Sequence, residues 1–415
     1  MAARRALALC FVLLAHTGCG GDFNPPPVDQ VAFLERKQVQ EDGAVRVAAA
    51  VPSAGEARQL FGASLYGRGV QPVWLEIVNS GATRLTFLPL GLDAAYFTPI
   101  EAAVLQQRDP EKLDREMSRY YFESGMAVIL DPGETRSGFV FTGLDEGTKA
   151  FNVDLVGEVD EHYRFTFFIP VPGLRIDHRN VDWDALYTAD EMVDYRDAGL
   201  KRYLETLPCC VTDKESRDRG DPLNIVVIGD LEDVYYAFIS AGWDETETVY
   251  RTSAIRTAIS FLFGGAYRYS PVSSLYVFGR AQDVALQKAK ASIHERNHLR
   301  LWLTPVRYEG KPVWIGQISR DIGVRFTIKT IVTHKIDPDV DETREFLLEN
   351  LAYAQSLAKI GYVGGVGAAA IDHPRGNLTG DPYFTDGYRV VLWVSSQPVD
   401  IGEIDFIPWA IRDDH

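Results

Sequence analysis

Between residues 45 and 172 the apolar positions fall into short runs separated by turn-forming residues. Val73 to Val78 runs into Asn79-Ser80-Gly81, and Leu85 to Leu88 follows. Met126 to Leu130 stops at Asp131-Pro132-Gly133-Glu134, and Phe139 to Phe141, Phe151 to Val156 and Tyr163 to Pro170 complete the series. Successive side chains of a strand point to opposite faces, and Gly, Pro, Asn and Asp supply the turn geometries between strands. The pattern therefore predicts a β-sandwich of immunoglobulin-like size over residues 45–172. One insertion, Leu92 to Glu123, carries a charged helical stretch.

The period changes beyond residue 172. Val193, Leu200, Tyr203, Leu204 and Leu207 recur near helical spacing, which predicts a packed helix inside a connector over 173–220. From Asp221 the pattern is mixed. A buried strand ends at Asp230, helices are predicted over Leu231–Ala241 and Arg251–Phe263, and a strand over Leu275–Phe278. Leu299–Val306 and Val313–Ser319 form a hairpin about Glu309-Gly310-Lys311-Pro312, a long helix runs from Asp341 to Ile360, and a late strand from Tyr388 to Ser395. The fold class expected is α+β: an N-terminal β-sandwich followed by a mixed α+β domain over 221–400, with a tail over 401–415.

Composition narrows the function. Of 415 residues, 46% are hydrophobic, enough to bury real cores, and the formal net charge is −16, which speaks against a general nucleic-acid binder. The charge is segregated: residues 251–335 hold 14 Lys and Arg against 4 Asp and Glu, and residues 336–415 hold 5 against 14. A basic block of this kind either attracts an anion such as phosphate, a lipid headgroup or a sulfated glycan, or is neutralised by the acidic block on folding.

The N-terminus carries an address. Arg4 and Arg5 precede an apolar run from Ala6 to Ala15, too short to span a membrane as a mature helix, and the run ends at His16-Thr17-Gly18-Cys19. A small residue before Cys at the end of such a segment looks like a bacterial lipobox, although His16 stands where Leu is usual. Residues 1–19 are therefore read as a signal peptide with Cys19 as the lipidation site, and 20–44, with Pro25-Pro26-Pro27, as a tether. Plain secretion is the alternative. The expected location is the cell envelope, with the outer membrane favoured over the inner. Of the remaining cysteines, the adjacent Cys209 and Cys210 either close a vicinal disulfide or pack as buried thiols.

Several separated motifs carry a family resemblance. They are Gly220-Asp221-Pro222-Leu223-Asn224, the run Phe278 to Lys288, Asn297 to Trp302, Val313 to Gly316, Arg320-Asp321-Ile322-Gly323 and Thr333 to Asp341. In this order over Asp221–Ser396, they resemble the LssY C-terminal domain family. The resemblance implies a fold unit. It implies no activity, because the phosphatase-like membrane domain that can precede such domains has no counterpart here. The cations in or beside these motifs, Arg280, Lys288 and Arg300, are the candidate ligand-binding residues.

Four constellations could carry chemistry. His294 to His298 satisfies His-Glu-x-x-His, which on a helix would place His294 and His298 on one face for zinc. Arg296 inside the motif, the strand-like alternation after His298 and the lack of a third ligand weigh against it, so no cofactor is predicted, and zinc stays the alternative. Asp337, Asp339 and Asp341 lack the Gly and Glu of a calcium loop and fit a helix cap at Asp341 better. Gly365 to Ala370 matches a dinucleotide fingerprint but follows a predicted helix, and is read as a loop. Finally, His298, Arg300 and Trp302 share one strand face, and His298, Arg320, Asp321, His334 and Asp337 could meet as a His/Arg/Asp pocket, the candidate catalytic set. The leading functional reading is non-catalytic binding of an anionic envelope component or a partner protein, with membrane attachment through a lipid. The alternative is a hydrolase, with or without a metal, using that pocket. A structural assembly subunit is a third.

Overall fold

The computed structural model describes residues 25–106, 115–145, 147–158, 161–172, 181–246, 273–289, 296–325 and 333–409. The expected signal segment with Cys19, the predicted helix over 251–263, and His294 lie outside the described residues.

The N-terminal part contains strands β1 (Gln38–Asp42), β2 (Val45–Ala50), β3 (Val70–Asn79), β4 (Leu85–Leu88), β5 (Ile129–Leu130), β6 (Thr135–Gly143), β7 (Thr148–Gly157) and β8 (His162–Pro170). They make two antiparallel sheets ordered β1-β2-β3-β6 and β5-β4-β7-β8. Alternate residues of both sheets, among them Val47, Leu75, Ile77, Phe87, Val153 and Phe167, meet in one core. The other face of the first sheet is also covered. Helices α1 (Ala54–Phe61), α2 (Pro99–Gln106) and α3 (Arg115–Ser124) place Phe61, Ala102 and Tyr121 against Trp74, Phe139 and Phe141. That cover explains why β3 reads as a near-continuous apolar run. The insertion Leu92–Glu123 is thus a packing layer. Residues 28–42, read above as tether, are not free chain: Phe33 is fully buried in the same cluster and β1 pairs with β2.

The connector holds α4 (Trp183–Leu186), β9 (Val193–Tyr195) and α5 (Asp197–Thr206). Leu200 and Leu204 are buried as the helical period predicts, whereas Val193 belongs to a strand paired with the C-terminal sheet. Beyond it come β10 (Cys210–Thr212), β11 (Arg219–Pro222), β12 (Ile225–Ile228), α6 (Leu231–Ser240), β13 (Asp244–Glu245), β14 (Tyr276–Val277), β15 (Arg280–Ala281), β16 (Val284–Ala289), β17 (Arg296–Tyr308), β18 (Lys311–Arg325), β19 (Thr333–Ile336), α7 (Val340–Tyr353), β20 (Leu357–Val363), β21 (Arg375–Gly376), β22 (Pro382–Tyr383), β23 (Arg389–Val394) and β24 (Asp405–Phe406). A ten-stranded mixed sheet follows the order β13-β16-β17-β18-β12-β23-β20-β24, with β9 and β19 joined at its sides. The chain is α+β.

The hairpin β17–β18 is the spine of this sheet. Glu309 and Gly310, both at positive φ, close it as a two-residue turn between the pair Tyr308–Lys311. On one face Leu286, Leu299, Leu301, Trp314 and Ile318 pack under α6 and α7. On the other, Trp302, Val306 and Ile315 pack with Leu200 and Leu204 of α5. Burying each such leucine contributes about 2 kcal/mol.

Two expectations are corrected here. The long helix predicted to Ile360 ends at Tyr353, because Gln355 turns left-handed at φ 56° and Leu357 begins a strand. Its N-cap is Asp339, whose carboxylate accepts the N–H groups of Asp341 and Glu342. Asp341 instead accepts from Thr385 Oγ1 and the Asp386 N–H and pairs with Arg344.

The two parts of the chain are joined by direct bonds. Buried Glu245 accepts the Thr148 N–H and hydroxyl at 2.6 and 3.1 Å, Asn152 donates to the Tyr236 hydroxyl at 2.7 Å, and Phe168 meets the Tyr236 ring edge-on.

Candidate functional site

Strand alternation separates β17 into an apolar set, Leu299 and Leu301, and a set that is polar at its start: Arg296, His298 and Arg300, before Trp302. Register brings Gln287 of β16 opposite His298 on one side, and Ser319 and Gln317 of β18 opposite His298 and Arg300 on the other. The result is a polar half-face within a buried sheet. Arg296 is 5% exposed, Arg300 6% and Asp321 3%.

Hydrogen bonds order this face. His298 Nε2 and Asp321 Oδ2 lie 2.6 Å apart. Arg300 donates to Gln317 Oε1 at 2.9 Å and to the Ser273 carbonyl at 3.1 Å, and Arg296 donates to Gln287 Oε1 at 2.9 Å. Two buried donors, Arg296 Nε and Gln317 Nε2, find no acceptor among the described residues. A buried donor without an acceptor is costly, so their presence on one face invites a ligand.

A second strand brings a carboxylate to the same place. Asp221 of β11 accepts a bond from Asn377 Nδ2 at 3.0 Å. Burial of its carboxyl raises its pKa above the ordinary value; Asn377 and the charge of Arg300 work against that rise, and Asp321 and Asp381 reinforce it. Burial likewise lowers the pKa of Arg296, with the charge of Asp321 opposing. Three of the family motifs named above, those containing Asp221, His298 with Arg300, and Asp321, therefore converge on one locus.

The structure brings together only part of the expected catalytic set. His298 and Asp321 meet. Arg320 lies on the opposite face, where it donates to Asn297 Oδ1 and stands over the Phe346 ring of α7, 3.9 Å from Glu342. The carboxylate of Asp337 accepts the Asp339 N–H in the turn entering α7, and its own N–H donates to the Arg320 carbonyl. His334 sits in β19 opposite Val324, and its side chain lies outside the described residues. Of the expected set, His298 and Asp321 share this face with Arg296, Arg300, Gln317 and Asp221, while Arg320 and Asp337 lie elsewhere. The reason is parity, since Arg320 and Asp321 are neighbours in a strand and point to opposite faces.

The ligand-binding trio also separates. Arg280 is held by Asp283 at 2.9 Å, the Tyr187 hydroxyl and the Leu303 carbonyl, so it ties the connector to β17. Lys288 donates to the Ala241 carbonyl at the end of α6, and burial lowers its pKa. Only Arg300 is on the polar face. The zinc motif does not lie on one helix: from Arg296 onward, including His298, its residues form strand β17. Among the described residues no three His, Cys, Asp or Glu side chains are placed to hold a metal ion. Cys209 and Cys210 form a vicinal disulfide.

The glycine motif has a structural explanation. A strand, β20, precedes Gly365, and the chain then turns without entering a helix. Gly365 has φ 119°, and a side chain there would strike the guanidinium of Arg389. Fully buried Arg389 donates to the carbonyls of Leu204, Leu207, Pro208, Leu223, Gly364 and Gly365. Burial brings its pKa down to about 10. Gly365 makes room for this clamp, which also caps the carboxyl end of α5.

Sequence reasoning missed Asp221, Arg296 and Gln317 as site residues. Arg296 shares the parity of His298 and Arg300, so the alternation of β17 was the available signal. Asp221 and Gln317 become neighbours only through tertiary packing.

Among the described residues no helix is long and apolar enough to cross a membrane. No curated protein is found to match the chain. Residues 201–388 match the family model described as the LssY C-terminus. The matched segment begins within α5 and spans the disulfide, the hairpin and the polar face, so the C-terminal part of this chain belongs to the LssY C-terminal domain family.

Proposed function

We propose that the protein is an exported, lipid-tethered envelope protein whose LssY C-terminal domain binds an anionic group, without turnover, on the polar face around Arg296, His298 and Arg300. The observation that carries this reading is the pair of buried donors, Arg296 Nε and Gln317 Nε2, left without acceptors among the described residues on the face that also holds Arg300. A phosphate, sulfate or carboxylate would supply the missing acceptors, and guanidinium forks match such groups. The lipid tether rests on Arg4, Arg5, the apolar run to Ala15 and Cys19.

The test follows thermal unfolding of the full chain with inorganic phosphate, sulfate, glucuronate or phosphatidylglycerol vesicles, against chloride at equal ionic strength. Saturable stabilisation by one anion, lost in Arg300→Gln, supports the reading. Equal midpoints in every anion would sink it.

A hydrolase is the second reading, favoured by the 2.6 Å contact of His298 with Asp321, since a carboxylate that orients an imidazole suits it to proton transfer. Turnover of aryl phosphate or acyl ester probes, abolished by His298→Gln, would replace binding with catalysis as the conclusion.

A further inference from the structure

The Cys209–Cys210 disulfide takes no part in the polar face, and stability does not account for it. A disulfide stabilises mainly by restricting the unfolded chain, and the restriction grows with the loop it closes. A bond between adjacent residues encloses no further residue, so it acts on the peptide between its own cysteines. In a regular strand neighbouring side chains point to opposite faces, so two adjacent sulfurs meet only where the chain leaves strand geometry. Strand β10 accordingly begins at Cys210.

That peptide lies where several elements are fastened. The Cys209 carbonyl accepts the Leu223 N–H at 2.8 Å, and Cys210 lies opposite Pro222 of β11. Arg389 holds the preceding carbonyls of Leu207 and Pro208 at 3.2 and 2.7 Å, and the Leu223 carbonyl at 2.9 Å. Cys210 Sγ lies 3.9 Å from the Tyr383 hydroxyl of β22. The disulfide segment thus holds β11 at Pro222 and Leu223, and Asp221 is the next residue. Asp221 in turn bonds Asn377, between β21 and β22, and feels the charge of Arg300. Packing here is tight: a side chain at Gly220 would meet Val211 of β10 and Leu378, both at 2.9 Å. A change of conformation at Cys209–Cys210 therefore reaches Asp221 through one strand pairing.

We propose that the Cys209–Cys210 disulfide is a redox switch, opened by a dithiol, that loosens β11 and with it the place of Asp221 beside Arg300. Its effect on anion binding rests on the function proposed above. Cys209 is partly exposed and Cys210 buried, so attack from solvent falls on Cys209. One thiolate of the dithiol bonds to Cys209 Sγ, and the Cys209–Cys210 bond breaks with Cys210 leaving as a thiolate. The second thiol then displaces Cys209 and closes the disulfide of the reductant. Two electrons pass to the protein sulfurs, the dithiol is oxidised, and its two protons end on Cys209 and Cys210. With the ring open the two side chains turn apart, and the Cys209 carbonyl loses its hold on Leu223.

Hydrogen exchange of the full chain, followed by mass spectrometry before and after dithiothreitol without denaturant, tests the proposal. Iodoacetamide should add two groups to the Cys209–Cys210 peptide only after reduction. Exchange across residues 219–223 is expected to quicken about tenfold, to leave β3 unchanged, and to slow again on reoxidation. A Cys209→Ser, Cys210→Ser double variant should exchange like the reduced protein with or without dithiothreitol. If that variant does not fold, the reduced wild type decides. Stabilisation by anions should weaken in the reduced form. If no anion stabilises the oxidised protein, the binding reading fails, and exchange across 219–223 still decides the switch. A disulfide that resists dithiothreitol, unchanged exchange across 219–223 after reduction, or exchange that quickens equally in β3 would overturn the proposal.

Discussion

The two faces of the β16–β17–β18 layer are made from alternate residues of the same strands, yet they are built to different ends. Leu299 and Leu301 point into a core closed by α6 and α7, where shape and apolar area suffice. His298 and Arg300, one residue away, point to a face that keeps guanidinium, imidazole, amide and carboxyl groups almost out of water. Such groups resist burial and contribute little to stability that leucine or methionine would not contribute better. A fold that retains them where an apolar face would hold more firmly is serving something besides stability.

Arg389 sharpens the contrast, because it is a buried arginine with a purely structural task. Its donors meet the carbonyls of the α5 end, the Leu207-Pro208 turn and the glycine loop. Arg389→Met leaves those carbonyls buried and unsatisfied, and the expected loss is about 4 kcal/mol, read as a fall in the chemical denaturation midpoint. A loss below about 1 kcal/mol would remove the distinction between clamp and site.

On the apolar face, Leu299→Ala is expected to cost about 3 kcal/mol through lost burial and a residual cavity, with anion binding retained in the folded fraction. On the polar face the pattern should reverse. Arg300→Gln and Arg296→Gln are expected to change unfolding free energy by about 1 kcal/mol or less while abolishing the anion-dependent stabilisation. Destabilisation as large as that of Leu299→Ala, with no change in anion response, would make the polar face part of the scaffold.

The smallest effect concerns pH. Burial raises the Asp221 carboxyl above its unfolded value of 3.8, so the folded state holds its proton more tightly. That contribution is fully present below pH 3.8 and is lost as pH rises through the folded pKa. Asp221→Asn should therefore flatten the stability profile above pH 3.8 and leave the variant relatively more stable at neutral pH. Asp341, also raised by burial, keeps a residual slope in the same window. A variant whose profile superimposes on wild type would show that Asp221 is not the buried acid of this site.

Much of this contrast was legible in the amino-acid order. Alternation at His298, Arg300 and Trp302 gave the face, Glu309-Gly310 gave the turn, and the spacing of Leu200 and Leu204 gave a packed helix. Other features were hidden because nonlocal packing decides them. The period of Glu342 to Ile360 does not reveal that Gln355 turns left-handed and that Leu357 begins a strand. Arg320 and Asp321 look like one polar unit in the chain, but strand parity sends them to opposite faces. Asp221 reaches Arg300 only through the packing of β11 near β18. Gly365 and Gly367 were read as a loop after a helix, and only the position of Arg389 explains why the first of them is glycine.

The envelope address is independent of these contrasts. Metabolic labelling with palmitate in a bacterial host should acylate the chain, and Cys19→Ala should abolish the label. Unlabelled wild-type protein would leave export without a lipid tether.

The most direct test of the central claim is to locate an anion on the protein. Crystals of the full chain soaked in selenate, with anomalous diffraction measured at the selenium edge, should show a peak within hydrogen-bond reach of Arg296 and Arg300, absent from Arg300→Gln crystals. Peaks confined to exposed surface cations, with the polar face closed by protein alone, would contradict the account.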